Sequence, residues 1–248
     1  MERIHQRYRL ALLYFQMGGS QWTRCRAEDA TLTIVYDDLE IMADEGCPGT
    51  PFLDKTNECE WYGVSCGDDY DPMQAEFLDE YFPLEALDLQ ANNLNGELFN
   101  ELYGFGELEQ MLLNGNQRIS GTISEDVGSL VNIQDLDLGG NLVTGTIPLE
   151  MYSLTELTFL GLEKNLLVGD ISNDIGSLTK LQALRLQSNT FDGAVPETGL
   201  FQLEQLEELS IQDNAFEGSL NVLCAARDER REDLPSYLDT IQADCEEF

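Results

Sequence analysis

The sequence predicts an α/β solenoid: a right-handed superhelix of short coils, with parallel strands lining its concave face and a disulfide-tied cap at each end. Three observations predict it. Asn92, Asn116, Asn141, Asn165, Asn189 and Asn214 recur at steps of 24 or 25 residues. Each closes one frame of three apolar residues: Leu84/Leu87/Leu89, Leu108/Met111/Leu113, Ile133/Leu136/Leu138, Leu157/Leu160/Leu162, Leu181/Leu184/Leu186 and Leu206/Leu209/Ile211. The six cysteines lie outside these frames, with Cys25, Cys47, Cys59 and Cys66 before them and Cys224 and Cys245 after. A fixed period of this length marks stacked repeats, each too small to bury its apolar face alone.

The physics of one copy explains its asparagine. The last two apolar residues of a frame are two apart, so in a strand they point to one face, while the residues beside them point to the other. One face becomes core and the other stays open. After the strand the chain turns inward, which leaves backbone N–H and C=O groups in an apolar interior, where an unmade hydrogen bond costs about 1–3 kcal/mol. An asparagine amide both donates and accepts. It is expected to bond the turn of its own repeat and the backbone of the next, so the six asparagines read as a structural ladder.

Each copy continues with an apolar residue, a free one and a glycine (Gly96, Gly121, Gly145, Gly169, Gly193, Gly218), then pairs such as "TIP" at 146–148 and "AVP" at 194–196. The pattern is a leucine-rich repeat. Over about residues 84–220 it resembles the plant type, LxxLxLxxNxLxGxIPxxLxxL, of receptor-kinase ectodomains and polygalacturonase-inhibiting proteins. The resemblance implies a second short strand and a helical turn on the convex side, with Pro148 and Pro196 at edges where a missing N–H is tolerated.

The ends complete three segments: an N-terminal cap over 1–83, six repeats over 84–220 and a C-terminal cap over 221–248. "RYRLALLYFQMGGSQW" (7–22) is similar to the opening of leucine-rich repeat proteins of algae such as diatoms and of some bacteria, and Ile4, Tyr8, Leu12 and Phe15 fall on one helical face that would lid the first coil. "ECEWYGVSC" (58–66) resembles the amino-terminal cap of the plant family. Residues 25–57 lengthen that cap, 67–83 form an acidic insertion, and 225–235 interrupt the last coil as a short charged helix. Leu238, Ile241 and Ala243 repeat the apolar spacing as a stunted seventh copy. Six cysteines allow 15 pairings. Their segregation and the family likeness imply Cys25–Cys47, Cys59–Cys66 and Cys224–Cys245, hence an oxidising compartment and an extracellular, secreted or cell-surface protein. Zinc is disfavoured by the single histidine, His5, and the lack of any CxxC.

Composition narrows the partners. With 47 acids against 13 basic residues the net charge is −34, which opposes nucleic-acid binding and suits either a saline medium or a cationic ligand. No apolar stretch approaches the roughly 20 residues of a membrane span. Arg3, Arg7 and Arg9 ahead of "LALLYF" mimic a signal peptide only loosely, and the run continues into the cap motif, so it reads as cap helix. There is no Asn-x-Ser/Thr sequon.

A ligand is expected on the open strand face, whose charged positions are Asp88, Asp135, Asp137, Glu163, Arg185 and Glu208, with Phe159 as its aromatic anchor. Asp135, Asp137, Phe159 and Arg185 fall on three successive strands, and Arg185 is read as the countercharge of the two aspartates. Six strands about 4.8 Å apart offer on the order of 400 Å², half of the roughly 800 Å² that a standard protein interface takes per side. The face therefore suits a peptide, a glycan or a protruding loop, expected to be cationic. An enzyme is not expected: a shallow sheet does not desolvate a carboxylate pair, and no nucleophile motif or phosphate loop is present. "DDYD" at 68–71 lacks calcium-loop spacing, so neither metal nor cofactor is assigned. Threonines 122 and 146 align as an ice-binding array would, but Asp170, Ala194 and Ser219 break the column. The readings left open are a recognition module, an inhibitor of a secreted hydrolase, and an acidic structural or adhesive matrix protein.

Overall fold

A computed structural model describes residues 2–23, 58–67, 82–217 and 240–242. Its main element is one eight-stranded sheet: β1 (Val64–Cys66), β2 (Leu84–Asp88), β4 (Gln110–Leu112), β6 (Asp135–Asp137), β8 (Phe159–Gly161), β10 (Ala183–Arg185), β12 (Glu208–Ser210) and β13 (Thr240–Gln242), in that spatial order. β2 to β13 run parallel, and β1 pairs antiparallel with β2. The register stacks Leu87, Met111, Leu136, Leu160, Leu184, Leu209 and Ile241 in a single file. Leu87, Met111, Leu136, Leu160, Leu184 and Leu209 of this file and their neighbours Leu89, Leu113, Leu138, Leu162, Leu186 and Ile211 are core. Burial of that order, at about 25 cal/mol per Å² of apolar surface, holds the coils together. Leu238 and Ala243 lie outside the described residues.

The return side follows from the glycines. β3 (Asn95–Glu97) pairs with β5 (Arg118–Ser120), and β7 (Thr144–Gly145), β9 (Leu166–Gly169) and β11 (Thr190–Phe191) form a second lateral sheet. Gly121, Gly145, Gly169 and Gly193 all carry φ between +71° and +85°, a region closed to most side chains. The convex side is made of single 3₁₀ turns, Asn100–Gly104, Glu125–Ser129, Leu149–Ser153 and Asn173–Ser177, and of the α-helical turn Glu197–Leu200. Ser124 and Ser172 cap two of them by accepting the N–H of Asp126 and Asp174.

The asparagines knit coil to coil, in the direction opposite to the one expected. Asn165 Nδ2 donates to its own Leu162 carbonyl at 3.1 Å and to Leu138 of the preceding coil at 2.9 Å, while its Oδ1 accepts the N–H of Val143, also in the preceding coil. Asn116, Asn189 and Asn214 repeat this three-way pattern. The amide reaches back because the inward turn follows the strand, which aims it at the coil already laid down. Asn92 is fully buried and accepts Thr23 Oγ1 from the cap. Asn141 donates to Leu113 and Leu138, but its buried Oδ1 has no partner. The residue before each asparagine (Ala91, Gly115, Gly140, Lys164, Ser188, Asp213) is left-handed, with φ from +48° to +71°. For a residue other than glycine that costs about 1–2 kcal/mol.

Helix α1 (Glu2–Gln16) closes the first coil, with the face opposite to the expected one. Gln6, Leu10, Leu13, Tyr14 and Met17 are buried, whereas Tyr8 and Phe15 are 60% and 71% exposed. Both stripes have helical spacing, so periodicity alone does not choose between them. Gln6 decides: its amide accepts the Leu84 N–H at 3.0 Å and donates to the Phe82 carbonyl at 3.0 Å, pairing backbone at the first strand of the repeats. The Asn95 N–H and the Trp22 indole both donate to Met17 O. Cys59 and Cys66 are bonded, with Cα atoms 5.4 Å apart. Cys25, Cys47, Cys224 and Cys245 lie outside the described residues, as do 225–235 and nearly all of the two cap insertions.

Asn165→Ala would strand the Val143 N–H and remove one of the two donors to the Leu138 carbonyl, which keeps Asn141, and should lower unfolding stability by about 1–3 kcal/mol. Asn141→Ala strands no N–H and leaves the Leu113 and Leu138 carbonyls bonded to Asn116 and Asn165, so it should cost less; urea midpoints of the two variants give the order. Replacing Cys59 and Cys66 by serine should cost about 2 kcal/mol through release of a short loop, read as a lower melting temperature.

Candidate functional site

Each concave strand offers three outward positions, and the register sets them in three columns. The central ones read Asp135, Asp137, Gly139 on the third coil, Phe159, Gly161, Glu163 on the fourth, Ala183, Arg185, Gln187 on the fifth and Glu208, Ser210, Gln212 on the sixth. The two glycines leave the sheet bare at its middle, and neighbouring side chains lie down over them. A Cβ on Gly161 would stand 2.6 Å from Asp137 Oδ1 and 2.9 Å from the Phe159 ring. One on Gly139 would stand 2.6 Å from Glu163 Oε1.

Contrary to the expectation, Arg185 pairs with Glu208 and not with the aspartates of β6. Its Nε and Nη2 donate to the two carboxylate oxygens of Glu208 at 2.7 and 2.8 Å, a bidentate bridge to the next strand. The guanidinium carbon also lies 5.1 Å from the centroid of the Phe159 ring, in cation–π geometry. The hydrogen bonds from Arg185 hold the Glu208 carboxyl below its ordinary pKa, and those to Glu208 raise that of Arg185. Register explains the choice. Ala183 faces Glu208 and Arg185 faces Ser210, so Arg185 and Glu208 are diagonal neighbours within reach of a long side chain.

Among the described residues Asp137 has no close countercharge. It is only 8% exposed, and its Oδ1 accepts the Gly139 N–H at 2.9 Å. Burial pushes its carboxyl up to about 6; the Gly139 N–H opposes this, the charge of Glu163 adds to it, and Arg185 opposes it weakly. Glu163 keeps one carboxylate oxygen buried without a hydrogen bond. Asp137, Phe159, Glu163, Arg185 and Glu208 thus form one group. Asp135 is drawn off as a strut, accepting Gln110 Nε2 at 2.8 Å and Thr158 Oγ1 at 3.1 Å. Asp88 bonds Gln90 of its own coil, two strands away from β6. Among the described residues no group of three or more His, Cys, Asp or Glu is disposed to hold a metal ion.

The sequence matches no protein-family model and no curated protein. Solved structures do resemble the chain. The ectodomain of the receptor kinase GASSHO1/SCHENGEN3 from Arabidopsis thaliana, solved with Casparian strip integrity factor 2, is 26% identical over 88% of this chain and 22% of its own length, with a TM-score of 0.62. The HAESA ectodomain from Arabidopsis, in complex with an extended IDA peptide hormone, is 25% identical over 76% of this chain and 29% of its own, with a TM-score of 0.61. The chain has the leucine-rich repeat fold of these plant receptor-kinase ectodomains. The Arabidopsis SOBIR1 ectodomain shares the fold over 86% of this chain and 95% of its own length, at 20% identity and a TM-score of 0.61. This leucine-rich repeat chain spans less than a third of the length of the two ligand-bound ectodomains.

The state of Asp137 has a measurable sign. The folded protein holds that proton up to about pH 6, the unfolded chain only to about pH 4. Between these values the native state binds more protons, so Asp137 subtracts stability as pH rises through the window. Asp137→Asn keeps an acceptor for Gly139 and removes the titration. The stability of the variant relative to wild type should climb from pH 4 to 6 and level off above, in urea unfolding at stepped pH; a flat difference would mean an ordinary, solvated carboxylate.

Proposed function

We propose that the domain is an extracellular recognition module that binds a short, net-cationic peptide or extended protein segment across β6, β8, β10 and β12. The observation that carries this reading is the Phe159–Arg185–Glu208 arrangement beside Asp137 and Glu163. It combines an aromatic anchor, an ordered guanidinium and surplus negative charge at the centre of an open sheet. Aromatic and arginine side chains dominate the energetic centres of interfaces, and the carboxylates left over by the Arg185–Glu208 bridge favour a positively charged ligand. The related ectodomains solved with a peptide hormone and with Casparian strip integrity factor 2 support ligand binding by this fold. The bond between Cys59 and Cys66 supports an oxidising compartment. No helix among the described residues is long and apolar enough to cross a membrane.

The test is selection of a randomised displayed-peptide library on the immobilised protein, followed by affinity measurements with the enriched peptide. Lysine- or arginine-rich sequences are expected, with association slowing as salt is raised. Phe159→Ala should weaken binding about 30-fold, the equivalent of about 2 kcal/mol. Arg185→Glu should weaken it as well. Acidic consensus sequences, or affinity untouched by both substitutions, would remove the site from this face.

A further inference from the structure

Of the first five coils, the second and fifth are each one residue longer than the other three, and the structure takes up the extra residue in different places. In the fifth coil it falls on the convex side, where the α-helical turn Glu197–Leu200 stands in for a 3₁₀ turn. The ladder there is intact, with Asn214 Oδ1 accepting the Phe191 N–H at 3.1 Å. In the second coil it falls inside the ladder turn. Asn116 and Gly121 are five positions apart, where every other coil, as in Asn165 and Gly169, has four.

Two independent features mark the junction that follows. The N–H two residues after an asparagine, in Leu94, Val143, Leu167 and Phe191, meets the Oδ1 of the next asparagine at 2.9–3.1 Å. Two residues after Asn116 stands Arg118, already at the start of β5, and Asn141 Oδ1 stays buried without a partner. The lateral sheet is also interrupted here: among the described residues β3–β5 and β7–β9–β11 are separate sheets, linked by the single bridge Thr122↔Thr144, as the fifth coil is linked to the sixth by Ala194↔Glu217. The junction still keeps the β4–β6 pairing and the bonds Gln117 N–H to Gly140 O, Leu142 N–H to Ile119 O and Thr144 N–H to Gly121 O.

We infer that the seam between the second and third coils is where the solenoid opens first, dividing it into two cooperative units: helix α1 with coils one and two, and coils three to six. In a stack that contacts only its neighbours, stability is a sum of coil and interface terms, so the weakest interface sets where sub-global opening begins. Asp137, Phe159, Glu163, Arg185 and Glu208 all lie on one side of the seam. Opening breaks the β4–β6 pairing and parts Gln110 from Asp135 but leaves these five together.

Native-state hydrogen exchange read by mass spectrometry on the whole chain tests this. Peptides covering 141–145 should exchange about tenfold faster than those covering 165–169, the equivalent of about 1.4 kcal/mol, on the scale of one buried hydrogen bond. Deleting Arg118 restores the four-position spacing and should bring 141–145 to the level of 165–169. Equal protection of the two segments in the unaltered chain overturns the inference whether or not the deletion variant folds. A folded deletion variant with unchanged exchange at 141–145 overturns it equally.

Discussion

Each coil of this solenoid turns back through its own apolar interior, and the backbone groups exposed on that turn have no water to bond. Pairing them from inside takes a short side chain that donates and accepts at once, which is why asparagine holds the same place six times. The bonds run to the coil before as well as to the turn itself, so the device that satisfies one turn also sets the distance and register of the next strand. Parallel pairing, the single file of leucines and the columns of the open face all follow from that register. The left-handed residues ahead of the asparagines are the accompanying cost, accepted at Ala91, Lys164, Ser188 and Asp213 without the help of glycine.

The repeats were legible because each states its pattern six times over, and chance does not reproduce a period. The cap was less so, since α1 presents two stripes of equal spacing and only the backbone contacts of Gln6, a polar residue easily dismissed as surface, decide which is buried. The open face was legible by position and not by partnership. Arg185 had acids on both sides, and the diagonal offset of Glu208 in the register settles the pairing. Gly139 and Gly161 carry no side-chain chemistry in a sequence, yet their bareness lets Asp137 and Glu163 lie flat against the sheet.

That flatness changes the electrostatics of the face. A carboxylate standing in water is screened and keeps its usual pKa, whereas Asp137 is pressed against backbone and beside a second acid. Arg185 is committed to Glu208 by two short bonds, so it orders Phe159 and Glu208 more than it neutralises Asp137. Fixed geometry with unspent negative charge is what distinguishes this part of the face from the acidic remainder of the molecule.

The first strand of the sheet bears on a different matter, self-assembly. A solenoid is an open stack, and an exposed parallel edge would accept the edge of another molecule, turning a soluble domain into a fibre. β1 has three residues, runs against the direction of the others, breaks register between Ser65 and Cys66, and is cross-linked to Cys59. Short and irregular, it makes a poor template for a further strand. The reversed strand therefore acts as an end-stop that keeps the protein finite at its amino-terminal side.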